Sequence, residues 1–314
     1  MGGGEDEGEG VRFLASGLGF EIPGYIVTHP KAKRLPPTLI EEFRNLVYDH
    51  FRRNRREMPW RETHDPYRIL VSEIMLQQTQ VQRVETKYRE FIAAFPGFPS
   101  LARARLRDVL RVWQGMGYNR RAIALQQIAQ RVVTEFNGEL PDSVETLRTF
   151  PGIGAATAGA IVAFAFNKPT VFLETNIRRV FLHVFFPHRD GVNDREILPL
   201  LEATLDRENP RQWYYALMDC GAALKKQSEN PNRRSAHYTR QSPFEGSDRQ
   251  IRSLILKTLL ANPRLSISRL LEAVGKGAKR TERIINQLGE EGFLVREGDL
   301  VWISPGQRPD QEDS

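Results

Sequence analysis

The chain has 314 residues, with 45 Lys+Arg against 39 Asp+Glu, 40% hydrophobic residues and a single cysteine. That length and apolar content exclude a wholly disordered chain and suggest about two domains. One thiol excludes an intramolecular disulfide or a site built from several cysteines, and no run approaches the roughly 20 apolar residues of a membrane span.

Charge is uneven along the chain. Residues 1–22 carry a net −4 and residues 306–314 a net −2, so the +6 of the whole leaves +12 on the body. Such a surplus favours a polyanionic partner, nucleic acid above all, with a well-solvated surface as the ordinary alternative. No apolar leader follows an N-terminal basic region, so a cytoplasmic protein is expected, nucleoid-associated if prokaryotic, with no membrane partner.

In chain order, residues 1–22 read as a disordered acidic tail. From Pro36 the pattern turns helical, with Leu39, Phe43, Val47 and Phe51 at four-residue intervals. Apolar spacing then predicts helices over Tyr67–Arg83, Tyr88–Ala94, Leu106–Gln114, Arg120–Phe136, Ser143–Thr149, Ala155–Phe166, Glu174–Val184 and Arg195–Asp206, with Pro or Gly at most joins. The fold is mostly α, and the main domain is expected over residues 23–224. Residues 225–246 form a polar, basic connector. Residues 247–305 contain three helical segments, Arg249–Ala261, Ser266–Val274 and Ala278–Gly289, then two short strands around Glu297-Gly298-Asp299, which suggests a winged helix. Lys276, Lys279, Arg280 and Arg283 near the start of its third helix suit phosphate or groove contact, although winged helices also bind proteins. Residues 306–314 read as an acidic tail.

Between two helical patterns lies Phe150-Pro-Gly-Ile-Gly-Ala-Ala-Thr. Gly152 and Gly154 permit unusual backbone angles, and the helix after them offers open N–H groups, so the segment is suited to hold a phosphate. A plain helix-to-helix turn would look similar. Further on, Glu174-Thr-Asn-Ile-Arg-Arg opens a basic amphipathic helix, with an acid well placed as its cap.

Taken together, Pro59-Trp-Arg, Pro66-Tyr, Ser72-Glu-Ile-Met-Leu-Gln-Gln-Thr-Gln-Val, Gly115-Met-Gly-Tyr, Phe150-Pro-Gly-Ile-Gly with Thr157, and Met218-Asp-Cys-Gly-Ala resemble the helix-hairpin-helix DNA glycosylases, within them the MutY-type adenine glycosylases. The resemblance covers roughly Pro59 to Leu224. It implies a two-lobed helical fold and a base-excision repair enzyme that hydrolyses the N-glycosidic bond of a base flipped out of double-stranded DNA.

The resemblance makes Glu73 the general acid that protonates the leaving purine, a task that needs a partly desolvated carboxyl. Glu174 stands where the family has Asp, and would stabilise the sugar cation or orient water. Ala156 stands where bifunctional relatives such as endonuclease III carry a nucleophilic Lys, which implies a monofunctional enzyme. Gln77, Gln78 and Tyr118 match residues that probe the duplex. Gly152, Gly154, Thr157 and Asn176 would contact DNA, and Trp60, Arg61 and Tyr215 would frame the base.

Departures from the family are also visible. Tyr215 replaces Gln or Glu near the target base, and the four-cysteine loop expected after Met218-Asp-Cys-Gly-Ala is missing. No metal or cofactor is therefore expected, and the iron–sulfur cluster is expected to be absent. Lys225, Lys226, Arg233, Arg234, His237 and Arg240 would take over its DNA contacts, with Tyr238 and Phe244 packing the loop. Adenine in a mispair is the leading substrate and a monomer the expected state. Uracil or thymine opposite guanine, another damaged base, or a non-catalytic lesion-binding role remain open alternatives.

Overall fold

The computed structural model describes residues 12–15, 20–23, 35–227, 230–239 and 243–306. At the N-terminal end, inside the expected tail, β1 (Arg12–Ala15) and β2 (Phe20–Pro23) pair antiparallel, with Arg12 opposite Pro23.

The helices run in order as α1 (Pro37–Asn54), α2 (Pro66–Leu76), α3 (Val81–Ala94), α4 (Phe98–Ala102), α5 (Leu106–Trp113), α6 (Arg120–Glu135), α7 (Val144–Leu147), α8 (Ala155–Phe166), α9 (Thr175–Phe185), α10 (Asp194–Thr204) and α11 (Pro210–Gln227). The C-terminal segment contributes α12 (Asp248–Ala261), β3 (Leu265–Ser266), α13 (Ile267–Val274), α14 (Ala278–Glu290), β4 (Leu294–Glu297) and β5 (Leu300–Ile303). Its sheet has the order β3-β5-β4, antiparallel throughout. Three helices and such a sheet make a winged helix, as its sequence pattern suggests.

The chain divides into two compact units. One takes residues up to 57 and 155–240; the other takes 58–154 and 241 onward. The winged helix falls in the same unit as α2 to α7. In the first unit the four-residue stripe of α1 is buried. Phe43 meets Phe181 and Phe185 of α9 and Trp213 of α11 edge-on, at ring-centroid distances of 5.6, 5.2 and 5.8 Å. In the second, Phe91 of α3 meets Trp113 of α5 at 5.9 Å, and Leu70, Val71, Ile74, Leu125 and Ile128 are buried in the same unit.

One departure from the sequence expectation matters for function. The helix expected over Tyr67–Arg83 stops at Leu76, and Gln78 takes a left-handed φ of 54° before α3 begins at Val81. Residues 77–80 contain neither Gly nor Pro, and apolar residues resume at Val81 and Val84, so nothing in the residue types marks the turn.

Candidate active site

Asp65 caps α2 by accepting from the N–H of Tyr67 at 2.9 Å. From Ile69 to Met75 every residue of this helix is buried except Glu73, which is half-buried and is the one ionisable side chain within Ile69–Leu76. A carboxyl on an otherwise apolar helix is unusual enough to require a chemical reason.

Three loops of the same unit converge on the start of α6. Gln77 donates from Nε2 to the carbonyl of Gly152 at 3.1 Å, which ties the turn after α2 to the Phe150–Gly154 hairpin. Gly152 has φ 75°, and a Cβ there would come within 3.3 Å of Ala124 Cβ on α6, so glycine is needed for both reasons. Gly154, by contrast, has no left-handed angle; a Cβ there would meet nothing within 4 Å. Only the first of the two glycines therefore uses special backbone freedom, whereas the second leaves open space beside the main chain. Phe150 anchors the hairpin from below, buried beneath the Arg131 guanidinium at 4.7 Å from its ring centroid.

The third loop carries Tyr118, half-buried with φ 46°. Arg121, which sequence inspection overlooks, joins it to the first. Its Nη1 donates to the carbonyls of Ile74, Met75 and Gln77 at 3.0, 2.8 and 2.6 Å. Its Nη2 donates to Thr79 Oγ1 and to the carbonyls of Met116 and Gly117 at 3.0, 3.3 and 3.1 Å. The guanidinium thus satisfies the open carbonyls at the end of α2 and fixes both turns. Burial pulls its pKa down to about 10, so it stays charged at neutral pH. The Tyr118 ring lies 5.4 Å from the same guanidinium.

Trp60 and Arg61 sit in a short 3₁₀ turn, Pro59–Arg61, of this unit. Trp60 is buried edge-on against Tyr88 of α3, with centroids 5.5 Å apart. Arg61 is buried as well.

In the other unit, Glu174 is the cap of α9. Its Oε1 accepts from the N–H groups of Asn176 and Ile177, both at 2.7 Å, and its Oε2 from Asn176 Nδ2 at 3.2 Å. The extra methylene relative to Asp is folded back to reach the helix end. Burial raises the pKa of this carboxyl above the usual glutamate value, against the opposing pull of those N–H groups and of Arg179 and Arg178. Asn176 is engaged at the other end of its amide too, where Arg179 Nη1 donates to Oδ1 at 2.8 Å and to the Gly221 carbonyl at 2.6 Å. Its amide is therefore part of the helix-end network.

The Met218-Asp-Cys-Gly motif finds its explanation here. Asp219 is buried and accepts from the backbone N–H of Arg56 at 3.0 Å and from its Nε at 2.5 Å. A Cβ on Gly221 would fall 2.2 Å from the carbonyl oxygen of Asn176, so only glycine lets α11 approach α9 this closely. Cys220 is buried with its Sγ 3.9 Å from the Val47 carbonyl, and burial pushes the thiol pKa up. Tyr215 is also buried, stacked flat on Phe164 with centroids 4.4 Å apart, which places it in the core. Thr157 is half-buried in the first turn of α8, where Ala155 and Ala156 are exposed.

The donor set does not fit a four-thiolate cluster, since the whole chain supplies one cysteine and that one is buried in α11. Beyond α11 the chain instead forms a turn, Pro231–Arg234, latched to α9. Asn232 Nδ2 donates to the Thr175 carbonyl at 3.0 Å, and Arg179 Nε donates to Asn230 Oδ1 at 3.2 Å. Arg234 faces inward, donating to the carbonyls of Pro187 and Leu182 at 2.7 and 2.9 Å. It is a structural clasp rather than one of the expected surface DNA contacts. Tyr238 and Phe244, expected to pack this segment, are 45% and 52% exposed. Arg240 lies outside the described residues. The first part of the expected connector is helical, since α11 reaches Gln227 with Lys225 and Lys226 exposed in its last turn.

Residues 71–202 match the family described as HhH-GPD superfamily base excision DNA repair protein, and residues 248–295 match winged helix-turn-helix DNA-binding. Among solved structures, a thermostable thymine-DNA glycosylase superposes with TM-score 0.52 at 25% identity, covering 58% of this chain and 86% of that one. Endonuclease III in a non-covalent DNA complex shares the fold at TM-score 0.50 and 18% identity, covering 59% and 85%.

Sequence relatives narrow the assignment. The adenine DNA glycosylase of Mycobacterium tuberculosis is 32% identical over 289 residues, 82% of this chain and 91% of that protein. That of Buchnera aphidicola is 37% identical over 181 residues, 56% of this chain and 50% of its own, so the chain spans about half the length of that relative. The human enzyme is 32% identical over 197 residues, 59% of this chain and 36% of its own. The chain belongs to the adenine DNA glycosylase family. No helix among the described residues is long and apolar enough to cross a membrane.

Proposed function

We propose that this protein is a monofunctional adenine DNA glycosylase, acting as a monomer on mispaired adenine in double-stranded DNA and working without an iron–sulfur cluster. The observation that carries this is Glu73, a half-buried carboxyl on the apolar helix α2 in a chain of this family. Protonation of the adenine ring by Glu73 makes the base a better leaving group as the bond to the sugar breaks. The cation left on the sugar is stabilised by a carboxylate, the part assigned to Glu174, and water then adds to the sugar carbon and loses a proton. Ala156 at the start of α8 offers no amine to attack the sugar, so the product is an abasic site in an uncut strand.

Gln78 and Tyr118 are the proposed duplex probes, and both are displayed on left-handed turns that Arg121 and Gln77 hold in place. The exposed backbone at Gly154 and the first turn of α8 suit a phosphate. Tyr215 and Asn176 are better explained by packing and by the α9 cap.

The likeness to a thymine-DNA glycosylase favours uracil or thymine opposite guanine as the second substrate class to assay. Single-turnover base release from duplexes holding A opposite G, A opposite oxidised G, and U or T opposite G separates the two. Adenine release that is lost in Glu73→Gln supports the proposal; release of only U or T would replace it.

A further inference from the structure

The winged helix meets the loop that carries Tyr118 and the start of α6 through two side chains, with a third contact on α5. Arg249 of α12 donates from Nη1 to the Tyr118 hydroxyl at 2.9 Å, with its guanidinium carbon 5.7 Å from the ring centroid. Two residues on from Tyr118, Arg120 donates from Nε to Glu291 Oε2 at 2.8 Å, and Arg252 of α12 donates from Nη1 to Glu291 Oε1 at 2.9 Å. Arg107 of α5 donates from Nη2 to the Leu260 carbonyl at 2.6 Å.

Tyr118 therefore has Arg121 of its own domain and Arg249 of the winged helix both beside its ring. An aromatic side chain on a left-handed, non-glycine turn is held only if its surroundings over-determine it. Here part of that determination comes from the appended domain. At the same time, the arginines of α14 that a DNA-reading helix would use are turned to an internal partner. Arg280 Nε and Arg283 Nη2 each donate to Asp248 at 2.8 Å, and Arg280 also donates to the Gly246 carbonyl at 2.9 Å.

We infer that the winged helix acts on excision through Arg249, a positioning residue that holds Tyr118 in the orientation needed to enter the duplex and extrude the base. The inference rests on the assignment of Tyr118 as the probe, and it gives the winged helix a role in base extrusion separate from duplex affinity. A guanidinium hydrogen bond to a phenol also limits the ring's swing, so its loss should slow entry of the ring into the stack rather than weaken phosphate contacts.

The test is a double-variant cycle on the full-length protein. Base extrusion is followed by stopped-flow fluorescence of 2-aminopurine beside an A opposite G, and duplex affinity is measured in parallel. Tyr118→Ala slows extrusion if Tyr118 is the probe; an unchanged rate would remove that assignment and the inference with it. Arg249→Ala is expected to slow extrusion about tenfold, the size of one charge-assisted hydrogen bond, with duplex affinity unchanged. Tyr118→Phe should do the same, the double variant should be no worse than either single one, and Arg249→Lys should recover part of the rate. Should Arg249→Ala unfold the winged helix, Tyr118→Phe and Arg249→Lys still decide, because neither removes a packing group. Additive effects of the two single variants, or a loss confined to affinity while Tyr118→Ala slows extrusion, would overturn the role of Arg249 and leave the glycosylase assignment standing.

Discussion

Arg121 Nη1 lies 2.6 Å from the carbonyl oxygen of Gln77, and through this contact one buried side chain determines where α2 ends and how the next turn is presented. The carbonyls at a helix end are open acceptors, and a positive charge there is favoured by the helix dipole as well as by hydrogen bonding. Because the same guanidinium reaches Met116 and Gly117, the two turns are one mechanical element.

Replacing Arg121 by Met keeps much of the volume but leaves buried carbonyls without donors, so it should cost about 3 kcal/mol or more. Arg121→Lys should recover little, since one ammonium cannot span acceptors on two turns. Urea unfolding of the full chain checks both. A loss below about 1 kcal/mol would mean the turns hold themselves.

Gly221→Ala and Gly152→Ala should rank in that order of damage. The first forces a Cβ to 2.2 Å from a main-chain oxygen, so α9 and α11 must move apart, at a cost of several kcal/mol, roughly that of severe overpacking. The second meets a methyl group at 3.3 Å and a φ of 75°, for which about 1–2 kcal/mol is expected. Thermal unfolding of the two variants side by side gives the order directly.

Much of this architecture was legible in the residues. The stripe of α1, the span of α8, the winged helix and the glycosylase motifs all come from spacing and resemblance, because each is a local pattern. The break at Gln77–Gln80 was not, since it holds no Gly or Pro and the cause, Arg121, lies more than forty residues away. Asn176, Arg234 and Tyr215 read as contacts for DNA or base by residue type and position. Only the folded chain shows that they engage Arg179, the Leu182 carbonyl and Phe164. Sequence position also gave no sign that the winged helix packs with residues 58–154.

Glu174 carries a pH prediction. Its folded pKa is raised above the ordinary 4.5, so the stability it contributes is full below that value and is lost as pH rises through the folded value. At neutral pH Glu174→Gln, which keeps an acceptor for the two α9 N–H groups, should be at least as stable as the parent. Its excision should nevertheless be strongly reduced. If the ionised carboxylate is what acts, the acid limb of the excision profile lies above the usual carboxylate range and disappears in Glu174→Gln. Parallel melting and single-turnover profiles test both halves; a destabilised but fully active variant would show that the residue is only a cap.

Glu291 has the opposite sign. The Arg120 hydrogen bonds, aided by Arg252, pull its pKa down to about 2. The stability it contributes is present above the ordinary glutamate value and lost as pH falls toward 2. Since the group is partly solvated, Glu291→Gln should cost only on the order of 1 kcal/mol at neutral pH. The difference between parent and variant should shrink between about pH 5 and pH 2, measured by denaturant unfolding at each pH.

The most direct measurement is single-turnover excision from a duplex with A opposite G or oxidised G, comparing the parent protein with Glu73→Gln and scoring free adenine and strand cleavage separately. Adenine release by the parent, an uncut abasic strand, and no release by Glu73→Gln are the expected result. Full release by Glu73→Gln, or strand cleavage in step with release, would contradict both the role of the carboxyl on α2 and the monofunctional chemistry.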